Sequence, residues 1–225
     1  MMELIVVNPP LKGEWKAVNT PADQVPSHGT HEFAQTYAYD FIKLKSGSVA
    51  NSDFHDKSLL AYLLGGVHLD NCYGWGEPIY APFDGVVTEV VNNVTERNRL
   101  HLVSDLGLAI YNGLFFSFKN DPISNVGGNY IVIEGADCCA WLAHLKYDSI
   151  TVKVGDQIKT GQLVGKLGHS GNSTAPHLHF QLMDSANLRD AKGLPCAFSQ
   201  YNVLAGADRN LVKNGVPSSE YSVEF

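Results

Sequence analysis

The sequence predicts a mainly β protein, built as an antiparallel sheet or sandwich with long loop insertions and little helix. Short apolar runs bounded by glycine or turn residues recur through the chain, as in residues 128–135, 139–145 and 150–168. Residues 76–91 add two more runs around Asp84-Gly85, a strong turn signal. Short strands at regular spacing with turn residues between them are typical of all-β folds.

The chain divides into a main domain and two flanking parts. Residues 1–26 hold one short strand candidate followed by four prolines, which predicts an extended arm lying on the domain. Residues 27–184 are predicted to form the domain itself, and residues 185–225 a C-terminal extension packed on it. Within the domain, residues 45–75 and 92–126 are long connections. Connections of that length are usually functional, so we expect both to form groove walls that set access and specificity.

Composition excludes several classes of protein. The net charge of −7 and the lack of a basic run argue against nucleic-acid binding. The four cysteines include no CxxC pair, which argues against a structural zinc ribbon, and we expect buried free thiols. No apolar run approaches the ~20 residues of a membrane span. The N-terminus as given lacks the basic and long apolar segments of a signal peptide.

The strongest candidates for a metal-binding or catalytic site lie in residues 176–180, Pro-His-Leu-His-Phe. In a strand, His177 and His179 leave one face about 7 Å apart, while Leu178 and Phe180 face apolar packing. One imidazole could bind a metal while the other transfers protons. The competing interpretation, a strand with two polar residues on a wet face, stays open at this point. For His169, in the turn before this strand, we expect a surface loop position.

Four blocks of sequence occur in a defined order and spacing. They are Tyr-Asp-Phe at 39–41, Gly-Glu-Pro-Ile-Tyr-Ala-Pro-Phe-Asp-Gly-Val-Val at 76–87, Leu-Ala-His-Leu at 142–145, and residues 154–180, which run from Val-Gly-Asp through Gly-Gln to His-Leu-His-Phe. Together these blocks resemble the lysostaphin/LytM-type zinc metallopeptidases, which cut peptidoglycan peptides. The resemblance covers residues 27 to 184, and it implies the LytM-type version of the predicted β fold, similar to a barrel-sandwich hybrid.

The resemblance also implies a site. The family holds one Zn²⁺ with two histidines and one aspartate, and leaves the fourth position to water. The second histidine of the His-x-His pair is the family's ligand, which corresponds to His179. The first corresponds to His177, in the proton-transfer role, and His144 matches the family's other non-ligand histidine. His144 and His177 would orient the water and stabilise the tetrahedral oxyanion.

The first two metal ligands depart from the family pattern, in which a histidine precedes the aspartate by four residues. Asp40 lies in the expected Tyr-Asp-Phe strand, but Thr36 occupies that position. His28 and His31 lie further upstream, and we prefer His28 because a Ser-His-Gly-Thr turn can bring an imidazole back to the strand. The predicted metal ligands are therefore His28, Asp40 and His179.

A second carboxylate competes with Asp40. Asp70 precedes Gly76 by six residues, as the family spacing suggests, and His68 lies two residues before it. The residue four before Asp70 is Gly66, so this pair departs from the pattern as well. The pair of His68 and Asp70 therefore stays open as an alternative.

The predicted function is zinc-dependent hydrolysis of peptide bonds in peptidoglycan cross-links, by a monomer that binds no nucleic acid. The alternative is a catalytically inactive LytM-type module with a binding or regulatory role. Residues 154–162 resemble the alternation of strands and turns in lipoyl- or biotinyl-carrier domains, but they lack the Met-Lys hairpin that such domains need. A carrier domain of that kind is therefore disfavoured. The resemblance implies the cell envelope or secretion, whereas the N-terminus as given leaves a cytoplasmic location open.

Overall fold

The computed structural model describes residues 4–48, 50–117 and 120–225. Its strands are β1 (Ile5–Val7), β2 (Glu14–Asn19), β3 (Tyr39–Ile42), β4 (Val67–His68), β5 (Pro78–Tyr80), β6 (Gly85–Val91), β7 (Arg99–Leu100), β8 (Asn129–Glu134), β9 (Cys139–Leu145), β10 (Gln157–Ile158), β11 (Leu163–Lys166), β12 (His177–Met183), β13 (Gly193–Leu194), β14 (Cys196–Ala205), β15 (Asp208–Gly215) and β16 (Ser222–Glu224). The helices are α1 (Leu59–Gly65), α2 (Leu102–Phe115) and α3 (Ser124–Gly127), with 3-10 helices at Glu32–Tyr37 and Leu69–Asn71. The prediction of a mainly β fold is confirmed.

One large sheet organises the described residues. Its strands follow the order β1-β14-β16-β2-β3-β12-β9-β8-β6-β10, with β13 beside β12 and β15 beside β14. The pairs along β2, β3, β12, β9, β8 and β6 are antiparallel, and β1 pairs with β14 in parallel. Residues 4–26 supply β1 and β2, and the C-terminal extension supplies β13 to β16. Both flanking parts therefore join the same sheet; residues 1–3 of the predicted arm lie outside the described residues.

The two faces of the central strands have different roles. Side chains such as Tyr39, Phe41, Leu178 and Phe180 are fully buried in the main apolar core on one face. Because strand side chains alternate, residues between them on β3 and β12 point to the opposite face. That opposite face carries two smaller apolar clusters and, between them, the polar residues described below. The strand pattern therefore determines which face is free for chemistry.

The two long insertions fold into local structure of their own. Residues 45–75 contain α1, β4 and a 3-10 helix; Ser58 caps α1 by accepting a hydrogen bond from the Ala61 N–H. Residues 92–126 contain β7, α2 and most of α3, where the sequence allowed a helix or a loop over residues 106–118; Phe118 lies outside the described residues. No helix in the part of the chain that the structure describes is both long and apolar enough to cross a bilayer.

Candidate metal centre

Strand pairing brings the predicted ligands of β3 and β12 together. His179 lies directly opposite Asp40, and His177 lies opposite Ile42. The side chains of all four residues lie on the face opposite the main core. An antiparallel pair places opposite side chains about 5 Å apart at Cβ, close enough for an imidazole and a carboxylate to meet.

Asp40 is the centre of the site. Its Oδ2 lies 2.9 Å from His28 Nε2, and its Oδ1 lies 3.0 Å from His179 Nδ1. One ligand atom from each of His28, Asp40 and His179 lies within 4.8 Å of the other two. Asn19 donates a 2.7 Å hydrogen bond to Oδ2, because a bulge in β2 sets it opposite Asp40. Asn19 was not recognised in the sequence, since nothing local marks its register.

His28 is held in one tautomer by the turn that precedes the first 3-10 helix. The Ser27 hydroxyl donates to the carbonyl of Ala38 over 2.7 Å, and its oxygen lies 3.0 Å from His28 Nδ1. Since the Ser27 proton is already engaged, its oxygen accepts the hydrogen bond and Nδ1 is the protonated nitrogen. Nε2, which faces Asp40, therefore carries the lone pair.

His179 is fixed in the same manner by Gln181. The Gln181 amide nitrogen donates to the Phe33 carbonyl over 2.6 Å, so its oxygen faces His179 Nε2 at 2.9 Å and accepts from it. His179 Nδ1, which faces Asp40, then carries the lone pair. An acceptor behind a ligating imidazole is the usual partner of a metal-binding histidine.

Three atoms with lone pairs therefore converge on one point. A carboxylate oxygen cannot donate to a neutral imidazole lone pair, so the arrangement requires a proton or a cation between them. Burial would raise the pKa of Asp40, but the positive charge of His28 and His177 when either ring is protonated, and a hydrogen bond from His179 or His28 when that ring carries the bridging proton, outweigh it and hold that pKa well below its usual range. The carboxylate is therefore ionised. The donor set of two neutral imidazoles and a carboxylate fits a divalent metal such as zinc.

Two further histidines lie beside this cluster with the opposite orientation. His177 Nδ1 donates to the Ala175 carbonyl over 2.8 Å, and His144 Nδ1 donates to the Ser170 carbonyl over 2.9 Å. Each ring therefore leaves Nε2 unprotonated. Nε2 of His177 lies 3.6 Å from Asp40 Oδ1, and the ring centres of His144 and His177 are 4.5 Å apart.

A bulge in β9 turns His144 to the groove. The three residues of β8 from Asn129 to Ile131 face the four residues of β9 from Leu142 to Leu145, so β9 carries one extra residue. His144 has a positive φ of 60°, a conformation that costs a non-glycine residue about 1 kcal/mol or more. Leu142 and Leu145 both pack in the main core, so the extra residue is what frees His144 from it. Burial, and then His177 and His179, hold the pKa of His144 well below its usual range.

A groove of about 380 Å³ opens over these residues. Asn112, Phe116 and Val126 of the 92–126 insertion line it, as predicted for that insertion. Among the described residues, none from 45–75 lines this groove, so the prediction for that insertion is wrong; those residues line a neighbouring cavity instead. The indole ring of Trp141, which is not among the predicted site residues, lines the groove and packs edge-on against His179 at 5.1 Å.

The competing ligand candidates lie apart from the cluster. His31 is exposed and its Nδ1 contacts the Thr36 hydroxyl at 2.9 Å. His68 and Asp70 pair with each other at 3.1 Å, with side chains 45% and 65% exposed. The side chains of His31, His68 and Asp70 are therefore open to water, whereas the Asp40 side chain is only 9% exposed.

The expectation of a surface position for His169 is wrong. Its ring is fully buried, with Nε2 3.1 Å from Arg97 Nη2 and Nδ1 3.0 Å from the Ser173 hydroxyl. Burial, followed by the charge of Arg97 and then His177, lowers its pKa to about 3. Arg97 also donates to the Ser173 carbonyl over 2.7 Å, so this cluster braces the turn that leads into β12.

Comparison with known proteins agrees with the resemblance noted in the sequence. Residues 108–191 match the sequence model of Peptidase family M23. Glycyl-glycine endopeptidase ALE-1 of Staphylococcus capitis is 47% identical over 104 residues, which cover 44% of this chain and 28% of that protein. Peptidoglycan DD-endopeptidase ShyA of Vibrio cholerae is 30% identical over 97 residues, which cover 42% of this chain and 22% of that protein. The chain thus spans about a quarter of the length of these curated relatives.

Among solved structures, the catalytic domain of lysostaphin from Staphylococcus simulans is similar over 59% of this chain and 81% of that chain, with 27% identity and a TM-score of 0.33. The segment matched by the family model contains His144, His177 and His179, whereas His28 and Asp40 precede it. The family model, the relatives and the motifs in the sequence thus agree that residues 108–191 of this chain are similar to Peptidase family M23.

Proposed function

We propose that this protein is a zinc-dependent metalloendopeptidase that hydrolyses peptide bonds in bacterial peptidoglycan cross-links. The observation that carries the proposal is the convergence of His28 Nε2, an Asp40 carboxylate oxygen and His179 Nδ1, each imidazole being held from behind by an acceptor. A structural role alone does not explain three lone-pair donors facing one another in a buried site.

The ion would be held by His28, Asp40 and His179. Two neutral imidazoles and one carboxylate, with a fourth position left open, form the donor set of catalytic rather than structural zinc sites. When bound there, zinc supplies an acidified water and polarises the scissile carbonyl. The groove above the cluster offers room for an extended peptide to approach these atoms.

His177 and His144 supply the proton transfers. With Nδ1 tied to the Ala175 carbonyl, His177 presents an unprotonated Nε2 that takes the proton of the attacking water. His144 presents Nε2 in the same state, so it can donate a hydrogen bond to the oxyanion only once it has itself taken up a proton. A proton held on either Nε2 is then available to the leaving amine.

The relatives support the substrate class. ALE-1 is named a glycyl-glycine endopeptidase and ShyA a peptidoglycan DD-endopeptidase, and both are similar in sequence to part of this chain. We extend peptidoglycan as substrate from those proteins to this one. Such a substrate locates the activity at the cell envelope or outside the cell.

The test combines metal content with hydrolysis. Purified protein loaded with zinc is expected to bind one equivalent and to release peptide fragments from peptidoglycan sacculi, detected by mass spectrometry. A chelator should abolish the release and added zinc should restore it. His28→Ala should lose the metal, whereas His31→Ala, at an exposed histidine three residues away, should retain it.

Two results would count against the proposal. Hydrolysis that persists after the metal has been removed would exclude a metal mechanism. Less than half an equivalent of zinc, with no hydrolysis, would favour an inactive module with a binding or regulatory role.

A further inference from the structure

A second cavity, of about 550 Å³, lies beside the proposed metal centre. Its apolar walls come from β2, β3, the 45–75 insertion, the start of α2 and the turn before β12; they are Val18, Ile42, Phe54, Tyr62, Leu102 and Ala175. Most of these residues belong to the apolar cluster that the 45–75 insertion builds against β3. The insertion thus creates a pocket of its own.

The cavity begins one side-chain spacing from Asp40 along β3 and directly beside His177. Ile42 follows Asp40 by two residues on β3, so the two side chains share a face and stand about 7 Å apart. Ile42 is also the strand partner of His177, and the carbonyl of Ala175, another wall residue, accepts from His177 Nδ1. Thr174 lines both this cavity and the groove over the metal centre. Groove and cavity therefore adjoin beside His177 and share Thr174 as a lining residue.

The charges at the rim are already engaged. Asp53 accepts a 2.6 Å hydrogen bond from the Ser48 hydroxyl, and Lys57 pairs with Asp56 at 3.2 Å. Among the described residues that line the cavity, no aspartate, glutamate, lysine or arginine side chain is buried. Its walls fit a neutral, apolar side chain.

We propose that this cavity is a substrate subsite, which takes an apolar side chain within two residues of the scissile bond. The inference rests on the proposed function and narrows its substrate class. Side chains of an extended peptide leave one face every ~7 Å, which matches the separation between Asp40 and Ile42. A run of glycines has no side chain to place there, so the cavity favours cross-links whose residues carry apolar side chains over glycine bridges.

The experiment uses three matched synthetic peptides with the same scissile bond, incubated with the full zinc-loaded chain. One has glycine on both sides, and the others carry leucine two residues before or after the bond. The wild-type protein should cut one leucine peptide at least about tenfold more efficiently, in kcat/KM, than the glycine peptide. Ser52→Trp, a substitution at the exposed rim, should fill the cavity and reduce that preference to less than about twofold by lowering kcat/KM for the leucine peptide.

Leu60→Trp is the matched control, because Leu60 is 65% exposed in the same insertion and does not line the cavity. It should keep the preference. Equal cleavage of all three peptides by the wild-type protein, or a preference that survives Ser52→Trp, would overturn the subsite.

Failure of the proposed function gives a different pattern. In that case no peptide and no sacculus is cut. The affinities of the same peptides, measured by calorimetry, then show whether the cavity binds an apolar side chain. A leucine peptide that binds at least about tenfold more tightly than the glycine peptide, and loses that advantage in Ser52→Trp, still supports it. Equal affinities overturn it.

Discussion

Replacing Gln181 with leucine tests whether His179 is held as a metal ligand. Gln181 is fully buried and makes two hydrogen bonds, of 2.9 Å with His179 and 2.6 Å with the Phe33 carbonyl. Leucine is similar in size but removes both hydrogen bonds, and the buried Nε2–H of His179 loses the acceptor that Gln181 provides. A buried group that loses its partner costs about 1–3 kcal/mol, so the folded metal-free protein should lose at least roughly that much stability. Loss of the partner behind a ligating histidine should weaken zinc binding by about 10–100-fold.

Gln181→Glu is the matched control. It keeps an oxygen facing His179 Nε2, replaces the amide donor that faces the Phe33 carbonyl and adds a carboxyl group to the buried position. Zinc affinity, measured by competition with a chromophoric chelator, should stay near that of the wild-type protein, while urea unfolding reports the stability change separately. A folded Gln181→Leu protein that binds zinc as tightly as the wild type would refute the assignment of His179 Nδ1 as the ligand atom.

The remaining predictions concern the other site residues. His179→Ala should lose both metal and hydrolysis, whereas His177→Ala should keep the metal and lose hydrolysis by about 10²–10⁴-fold; undiminished hydrolysis in both variants would contradict the two roles. Asp40→Ala should lose zinc and Asp70→Ala should retain it, because only Asp40 meets two imidazoles in a buried site; the reverse result, read by metal analysis, would move the carboxylate ligand to Asp70. His169, with a folded pKa of about 3, gains a proton near pH 6.5 only when the chain unfolds. Its contribution to stability is therefore complete above pH 6.5 and falls by about 1.4 kcal/mol per pH unit below it. His169→Gln should reduce the change in the free energy of unfolding with pH below pH 6.5, measured by urea unfolding of the metal-free protein. An unchanged pH dependence would contradict the lowered pKa of His169.

Local patterning was sufficient for the strands that carry the site. The alternation in residues 176–183 predicted β12, and the runs bounded by glycine predicted β8 and β9, because a strand's two-residue period is visible in a single segment. The C-terminal extension was predicted to pack on the domain, and its four strands were not predicted. Strand β14 is stabilised by pairing with β1, β15 and β16, and β1 lies almost 190 residues away in sequence. A local pattern therefore does not reveal it.

The site residues also differ in how far the sequence alone could indicate them. The pattern of residues 177–179 indicated two imidazoles on one face, and the family resemblance indicated the role of each. The Ser-His-Gly-Thr turn favoured His28 over His31 without excluding His31. In the structure, Ser27 holds the His28 ring against Asp40, whereas His31 is exposed. His169 was misassigned because the residues that enclose it come from a distant insertion, which a local pattern does not reveal.

By itself, the sequence determined the strand faces, the pair of histidines on β12 and the family resemblance, because a short segment or the order of short segments is sufficient to show each of them. Only the tertiary structure decided which histidine and which carboxylate meet, the turn of His144 toward the groove and the separation of the two cavities. Those features depend on strand register and on one extra residue in β9, and a shift of one residue in either would reverse the face to which each side chain points.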